Sequence, residues 1–282
     1  MIVSLKEMLQ EANRGRYAVG AFNCLSLENV EGAIAAAEEL NAPIIIQLAE
    51  VQFPCAPLNL MAPLYIEAAR KAKVPVVVHL DHGQSFETCA EAIRLGFGSV
   101  MFDGASLPFE ENVRITAAVT RMAKAMGVDV EAELGKVGDV GKDDDKIDVF
   151  TDVEESAAFI AQTGVDALAV AIGNQHGRYV ATPKLNIDRL IELRDRNNNL
   201  PLVLHGGSGV PDEEIKKAVA AGVRKMNFAT DICYSFLDTC LEELKKPERI
   251  VAIDNFMKKP IEAVKEFCIT RIKLVGADGK VL

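Results

Sequence analysis

Several kinds of sequence feature are missing from this chain of 282 residues, and each absence excludes a class of protein. It has no cluster of lysine and arginine and carries a net charge of −10, so we expect neither nucleic acid nor a membrane as a partner. No apolar run is long enough to cross a bilayer. An anionic small molecule remains an acceptable substrate, because a metal ion or helix N-termini can make one site electropositive.

The cysteines also lack the spacing of a binding motif. Six are present, and none forms a CxxC pair or a zinc-ribbon pattern. We interpret all six as small buried hydrophobic residues. The first residues, Met1–Lys6, lead into an amphipathic helix pattern rather than a signal peptide, so we expect a reducing, cytoplasmic location.

Strand-like apolar runs alternate with amphipathic helical stretches through most of the chain. Runs such as Ile44–Ile46 are typical of strands covered on both faces. Eight such runs with helices between them favour a closed parallel barrel over an open sheet. We therefore predict an α/β protein with a single (β/α)8 TIM barrel, as one domain over residues 1–282. The predicted strands are Ala18–Asn23, Pro43–Ala49, Val74–Asp81, Ser99–Asp103, Val130–Gly135, Ala167–Gly173, Pro201–Gly206 and Arg224–Thr230.

Helix start and stop signals fill the gaps between these strands. Ser26 and Ser85 can each cap a helix, and Gly96 can end the second one. Asp152 precedes a helical stretch that stops at Gly164. These signals support the alternation of strands and helices.

One segment interrupts the alternation. Lys136–Thr151 is long and charged, has no periodicity, and follows the fifth predicted strand. It therefore belongs to the face on which the strand C-termini open. Long loops there are often mobile lids over an active site, and a solvated surface loop is an equally good interpretation.

All four histidines lie in apolar strand-like runs that end in polar, glycine-rich turns. His82, His176 and His205 stand at the ends of the third, sixth and seventh predicted strands. Because all strand C-termini of a parallel barrel open onto one face, these imidazoles can meet there. Three protein ligands with an open fourth position are typical of a catalytic zinc site. His79 lies inside its strand, and we interpret it as a packed barrel residue or a hydrogen-bond partner of the site.

Two carboxylates accompany these histidines. Asp81 precedes His82 and can be a metal ligand, an orienting group or a general acid/base. Glu131 and Glu133 share one face of the fifth strand by alternation. If that face is the barrel interior, Glu133 approaches the metal; an internal salt bridge is its alternative role.

Two turns, one rich in glycine and one polar, predict a site that binds an anion. The turn Gly206-Gly207-Ser208-Gly209 follows His205, and its backbone N–H groups can hold a phosphate. Asn227–Asp231 ends the eighth strand, and barrels often build a phosphate site from the loops after strands seven and eight. A metal beside a phosphate cradle and a carboxylate suits carbon–carbon bond chemistry next to a carbonyl.

Together these motifs resemble the class II, zinc-dependent ketose-bisphosphate aldolases, the family of the fructose- and tagatose-bisphosphate aldolases. The resemblance implies a lyase that splits a sugar phosphate reversibly into dihydroxyacetone phosphate and an aldehyde. It covers nearly the whole chain and rests on Ala21-Phe22-Asn23, His79–Gly83, Glu131–Gly135, His176-Gly177, His205–Gly209 and Asn227–Thr230.

The resemblance also implies a role for individual residues. His82, His176 and His205 would hold one zinc ion per subunit, with Glu133 nearby, and Asp81 would be the acid/base on the C4 hydroxyl. Family members often bind a monovalent cation, Na+ or K+, near the phosphate and form homodimers or homotetramers. The implied substrate contacts are Asn23, Gly177, Gly206, Gly207, Ser208, Asn227, Ala229 and Thr230.

Four positions depart from the family's pattern. Asn174-Gln175 replaces a Thr-Ala or Thr-Ser pair, and Ala49-Glu50-Val51 lacks a serine and a glycine, of which the serine helps to bind phosphate. In the loop, Gly138–Asp143 replaces Gly-Gly-Gln-Glu-Asp-Asp. Ala252-Ile253-Asp254 replaces Asp-Pro-Arg, whose arginine binds the far phosphate. The candidates to replace the loop glutamate, which shuttles a proton, are Asp143, Asp144 and Asp145.

The core chemistry is therefore retained while the aldehyde half of the site differs. An aspartate at position 254 would repel a second phosphate. We predict cleavage of a ketose 1-phosphate whose far end is not phosphorylated, with an ordinary fructose- or tagatose-bisphosphate aldolase as the alternative. A metal-dependent hydrolase is disfavoured, because no HxH pair marks the first strand. A non-catalytic sugar-phosphate-binding homologue is disfavoured, because a pure binder needs no acid/base beside its metal.

Overall fold

Eight parallel strands form a closed barrel in this protein. A computed structural model describes residues 1–135, 137–139, 150–177, 183–247 and 252–281, without the side chains of Asp139 and His176. The strands are β1 (Val19–Asn23), β2 (Ile44–Ala49), β3 (Val76–Gly83), β4 (Ser99–Phe102), β5 (Asp129–Leu134), β6 (Gly138–Asp139), β7 (Ala167–Val170), β8 (Gln175–His176), β9 (Leu202–Leu204) and β10 (Val223–Phe228). The barrel order is β1-β10-β9-β7-β5-β4-β3-β2, and β6 pairs separately with β8. The predicted (β/α)8 TIM barrel is confirmed.

The first helix precedes the first strand, and the other helices lie between and after the strands. The helices are α1 (Leu5–Gly15), α2 (Leu27–Glu39), α3 (Leu58–Lys71), α4 (Phe86–Arg94), α5 (Phe109–Ala125), α6 (Val153–Thr163), α7 (Ile187–Arg196), α8 (Asp212–Ala221), α9 (Thr230–Leu244) and α10 (Ile253–Leu274), with a short 3-10 helix at Glu50–Gln52. Ser26, Ser85 and Asp152 each accept a backbone N–H at the start of their helix, so the helix starts predicted at these residues are confirmed. Within the residues just given, no helix is both long and apolar enough to span a membrane.

The strands carry the core of the protein. β2 is buried along its whole length, and Ile44, Ile45 and Ile46 have no exposed surface. Such strands contact the barrel interior on one face and helices on the other, which explains their continuous apolar sequence. Polar residues are buried as well, and many of them lie in the C-terminal halves of the strands.

β3 departs from regular pairing near its end. Its register with β4 passes from Leu80–Val100 to Gly83–Phe102, so β3 contains one extra residue. His82 lies in this bulge with φ at 45°, a conformation that residues other than glycine seldom adopt. Adjacent strand residues normally point to opposite faces. The bulge allows both Asp81 and His82 to line one cavity at the barrel mouth.

The packing of α2 on α10 generates the first testable prediction. A Cβ added at Gly32 of α2 would lie 2.7 Å from Val264 Cγ1 and 2.9 Å from the carbonyl oxygen of Ile261. We expect Gly32→Ala to lower the free energy of unfolding by about 1–3 kcal/mol, because this overlap outweighs the helix propensity of alanine. Urea or thermal unfolding measures the change.

Gly98→Ala is the matched control. A Cβ at Gly98 meets no atom within 4 Å, so this substitution should leave stability nearly unchanged. If Gly32→Ala is as stable as Gly98→Ala, the two helices do not pack as tightly as described.

Candidate active site

A cavity of about 670 Å³ opens at the C-terminal ends of the barrel strands. Most of the predicted site residues line it: Asn23, Asp81, His82, Glu133, Gly177, Gly206, Ser208, Asn227, Ala229 and Thr230. His205 and Gly207 are not among the lining residues in the described part of the chain. The side chain of His176 falls outside that part, although its backbone pairs with Asp139.

Asp103 orients the imidazole of His82. The Nδ1 atom of His82 lies 2.8 Å from Asp103 Oδ2, and its Nε2 atom lies 3.9 Å from Asp81 Oδ1. Asp103 is itself held because its N–H donates to the carbonyl of Gly83. Burial acts to lower the pKa of His82, but Asp81 and Asp103 raise it more, to about 10. The two carboxylates therefore favour the protonated form of this imidazole.

Two glutamates contact His205, which is fully buried. Its Nε2 atom lies 2.9 Å from Glu131 Oε1, and its Nδ1 atom lies 2.9 Å from Glu133 Oε2. Glu131 is fixed by the ammonium of Lys225, 2.9 Å away, whereas Glu133 lines the cavity. Burial and His82 act to lower the pKa of His205, and the hydrogen bonds to the glutamates raise it above its ordinary value.

These two imidazoles fit a metal site. Their ring centroids lie 4.6 Å apart, and carboxylates orient both rings: Asp103 contacts Nδ1 of His82, and the two glutamates contact the two nitrogens of His205. One ligand atom from each of Asp81, His82 and His205 lies within 4.8 Å of the others, and the same holds for His82, Asp103 and Glu133. Imidazole and carboxylate donors are those that zinc takes in catalytic sites.

The carboxylate of Asp81 is held by two amides. Asp81 Oδ1 accepts from Asn227 Nδ2 at 3.0 Å, and Oδ2 accepts from Asn23 Nδ2 at 2.9 Å. Burial acts to raise the pKa of Asp81, but His82 and Lys225 lower it more, so the pKa lies well below its ordinary value. An ionised carboxylate at the cavity wall can accept a proton from a hydroxyl group.

His79 lies deeper in the barrel than the cavity. Its Nδ1 atom is 2.5 Å from Ser99 Oγ, and its Nε2 atom is 3.5 Å from Glu131 Oε2. Burial and the charge of Lys225 lower its pKa to about 3, so this imidazole is neutral. His79 is therefore both a packed barrel residue and a neighbour of the glutamate that contacts His205.

The glycine turn after β9 and the N-terminus of α9 form one wall of the cavity, which we name the backbone N–H wall. Gly206 has φ at 64°, and a Cβ there would overlap the carbonyl of Gln175, so the close turn requires glycine. The N-terminus of α9 begins at Thr230 beside this turn, and Ser208 Oγ accepts from the N–H of Asp231 at 3.2 Å. Helix N-termini and glycine turns of this kind attract anions.

The opposite wall comes from the turns after β2, β3 and β4. Glu50 Oε2 accepts from the N–H of Gln84 at 2.6 Å, which joins the first two turns. The lining residues of this wall are Ala49, Glu50, Val51, Gln52, Gln84, Asp103, Ala105 and Ser106. Among the lining residues described, there are four carboxylates and no lysine or arginine. The described part of this wall carries the carboxylates of Glu50 and Asp103, and we name it the acidic wall.

Two of the positions that depart from the aldolase pattern lie away from the cavity lining. Asn174 Oδ1 accepts from the N–H of Ile172, and its Nδ2 atom donates to the carbonyl of His205, so Asn174 braces the turns behind the site. Asp254 is exposed in the first turn of α10 and is not one of the described lining residues. Residues 140–149, which include Asp143, Asp144 and Asp145, lie outside the described residues.

Sequence reasoning missed three residues that support the site. Asp103 ends the fourth predicted strand, which is the same signal that singled out His82. Lys225 is a lysine in a strand that is otherwise mostly buried, and Gln47 is a polar residue in a run of isoleucine and leucine. A polar side chain in a mostly apolar strand indicates a buried polar contact. The residue that makes this contact cannot be predicted from the sequence, because it lies on another strand.

The contact between Asp103 and His82 generates a prediction on metal binding. We expect Asp103→Ala to weaken zinc binding by about 10–100-fold, because the imidazole loses the group that orients it. Competition with a chromophoric zinc chelator measures the affinity. Asp188→Asn, an exposed acidic residue on α7, is the control. Unchanged affinity in Asp103→Ala would show that the carboxylate does not support the site.

Comparison with known proteins gives the family. The sequence profile described as "Fructose-bisphosphate aldolase class-II" matches residues 3–280. The fructose-bisphosphate aldolase of Geobacillus stearothermophilus is 41% identical over 99% of this chain and 98% of its own. The crystal structure of the YdjI aldolase from Escherichia coli K12 is 35% identical, covers 100% of both chains and superposes with a TM-score of 0.91. A putative fructose-1,6-bisphosphate aldolase structure from Coccidioides immitis is 28% identical, over 98% of this chain and 97% of its own, with a TM-score of 0.87. The chain belongs to the class II fructose-bisphosphate aldolase family and is a lyase.

Proposed function

We propose that this aldolase cleaves a ketose 1-phosphate, reversibly, into dihydroxyacetone phosphate and an aldehyde that carries no phosphate. The observation that supports the reaction is one cavity: His82 and the carboxylate of Asp81 line it, its lining residue Glu133 contacts His205, and the glycine turn after β9 and the N-terminus of α9 form one wall. A cation, a proton acceptor and an anion cradle are the three components that such a cleavage needs.

His82, His176 and His205 would hold one zinc ion. When bound, zinc would supply a Lewis acid for the ketone carbonyl and for the negative charge that develops on its oxygen. Asp81 takes the proton of the C4 hydroxyl as the carbon–carbon bond breaks. Glu133 contacts His205 and lines the cavity, so it stays close to the reacting carbons.

The dihydroxyacetone phosphate half would bind against the backbone N–H wall. Its implied contacts are Asn23, Gly177, Gly206, Gly207, Ser208, Asn227, Ala229 and Thr230. The phosphate would neutralise the N-terminus of α9 and the glycine turn after β9. A monovalent cation, Na+ or K+, near the phosphate is a further part of this proposal and comes from the resemblance to the family.

The aldehyde half would lie against the acidic wall. Glu50 and Asp103 line this side, and the described lining contains no lysine or arginine. A second phosphate there would meet like charge, whereas hydroxyl groups could donate hydrogen bonds to the carboxylates. The alternative is an ordinary bisphosphate aldolase, which the name of the Geobacillus relative favours.

The remaining predictions concern assembly and location. A homodimer or homotetramer is part of this proposal, and exposed leucines on α9, such as Leu237, Leu241 and Leu244, are where we expect contact between subunits. The single domain over residues 1–282 and the cytoplasmic location stay predictions.

The substrate proposal is tested by aldol addition. Zinc-loaded protein is incubated with dihydroxyacetone phosphate and a panel of aldehydes, including glyceraldehyde 3-phosphate and unphosphorylated or carboxylated sugars. We expect unphosphorylated aldehydes to be consumed faster, and Asp81→Asn to lower the rate by about 10²–10⁴-fold because the proton acceptor is lost. Consumption of glyceraldehyde 3-phosphate alone would make this an ordinary bisphosphate aldolase.

The acidic wall generates a second prediction. We expect Glu50→Gln to lower the KM for glyceraldehyde 3-phosphate by about 5-fold, since removing one like charge near a phosphate is worth about 1 kcal/mol. Glutamine keeps the oxygen that accepts from Gln84. The KM for an unphosphorylated aldehyde should stay within about 2-fold. Glu87→Gln, outside the cavity lining described, is the control, and an equal effect in both variants would argue against a local charge effect.

A further inference from the structure

Asp81 is held from two sides by asparagine amides. Asn227 Nδ2 donates to one carboxylate oxygen and Asn23 Nδ2 to the other, and all three side chains are buried. An asparagine can present either its NH2 group or its carbonyl oxygen to a neighbour. Only the NH2 group attracts a carboxylate. Whatever fixes the two amides therefore also fixes the orientation of Asp81.

Lys225 fixes the amide of Asn227. Its Nζ atom lies 2.8 Å from Asn227 Oδ1, and an ammonium group can only donate. The carbonyl end of Asn227 must therefore face Lys225, which turns the NH2 end toward Asp81. The fully buried ammonium is kept in place by Glu131, 2.9 Å away.

Gln47 contacts the carbonyl end of the Asn23 amide, although its own amide, unlike an ammonium group, can both donate and accept. Its Nε2 atom donates to Asn23 Oδ1 at 2.9 Å, and the register of β1 and β2 places the two residues side by side. The backbone carbonyl of Gln47 accepts from the hydroxyl of Tyr65 at 3.0 Å, which anchors this point of the strand.

The carbonyl oxygen of the Gln47 side chain makes no comparable contact with the described residues. Its Oε1 atom is buried and has no hydrogen-bond partner among the described residues. Buried polar groups that serve the fold alone are usually satisfied at both ends, and an unsatisfied one calls for an explanation. The one side-chain hydrogen bond that Gln47 makes here leads to Asn23 and from there to Asp81.

We propose that Gln47 and Lys225 are positioning residues that fix the carboxylate of Asp81 through Asn23 and Asn227. Neither is among the described residues that line the cavity, so they act on the substrate through the asparagines. The inference rests on the proposed function, because it concerns the step in which Asp81 accepts the C4 hydroxyl proton. In that step the C3–C4 electron pair passes to the dihydroxyacetone phosphate half, and C4 becomes the aldehyde carbon.

Gln47→Met tests the proposal because it keeps the side-chain volume and removes the donor. We expect kcat for cleavage to fall about 10-fold, equivalent to about 1.4 kcal/mol, with KM changed less than about 2-fold. Exchange of the dihydroxyacetone phosphate carbon-bound proton with D2O, followed by NMR, should stay at the wild-type rate. That exchange needs no hydroxyl proton transfer to Asp81. Thr120→Val, which removes another buried unpartnered oxygen on α5, is the control.

A double-mutant cycle separates positioning from general damage. In the Asp81→Asn background, Gln47→Met should have no further effect on cleavage, because its route of action is gone. Additive effects, an unchanged kcat in Gln47→Met, or an equal fall in proton exchange would each overturn the role of Gln47. Zinc content is measured for each variant so that comparisons are made at equal metal loading.

Lys225 is tested with its charge partner. Lys225→Met alone removes the ammonium group that compensates the buried charge of Glu131, so we combine it with Glu131→Gln and compare the double variant with Glu131→Gln alone. The double variant should show the same selective loss of cleavage over exchange. Loss of both activities equally, or of neither, relative to Glu131→Gln would overturn the role of Lys225.

A structural measurement separates failure of this inference from failure of the proposed function. If the wild type catalyses neither cleavage nor exchange with any of the compounds tested, the proposed function fails. Crystal structures then decide the positioning claim: rotated carboxylates of Asp81 in Gln47→Met and in the Lys225→Met double variant support it. An Asp81 carboxylate unmoved in both variants overturns it.

Discussion

The ion pair between Glu131 and Lys225 inside the barrel is the constraint on which the site depends. Both side chains are fully buried with 2.9 Å between their charged atoms, and either charge left alone there would cost several kcal/mol. The pair also contacts His205 and Asn227, which come from other parts of the chain. The ion pair forms only when β5 and β10 line the same barrel interior. Closure of the barrel therefore also orients the site residues that the pair contacts.

Features set by neighbours in sequence could be predicted, and features set across the barrel could not. Ser26 and Asp152 cap helices because the N–H groups they accept lie two or three residues ahead. The position of His82 at a strand end was equally local. Its orientation was not, because regular alternation would turn it away from Asp81 and only the bulge in β3 reverses this. Nothing in the local pattern encodes one extra residue relative to β4.

The partners of buried polar residues show the same limit. Alternation predicts that Glu131 and Glu133 share a face, and both do contact His205. It does not say that Lys225 meets Glu131, since that depends on the register of strands far apart in the chain. The family resemblance allowed further predictions about the metal-binding and phosphate-binding residues. It allowed fewer predictions about the acidic wall, where Glu50 stands in a turn that departs from the family's pattern.

The two walls of the cavity are formed by different segments of the chain. The backbone N–H wall is built by the turns after β8, β9 and β10, and the acidic wall by the turns after β2, β3 and β4. Insertions and exchanges in one set of turns can therefore accumulate without disturbing the other. For enzyme engineering this makes the fold modular: turns from the N-terminal half of the chain can be exchanged while the turns that form the other wall are left intact.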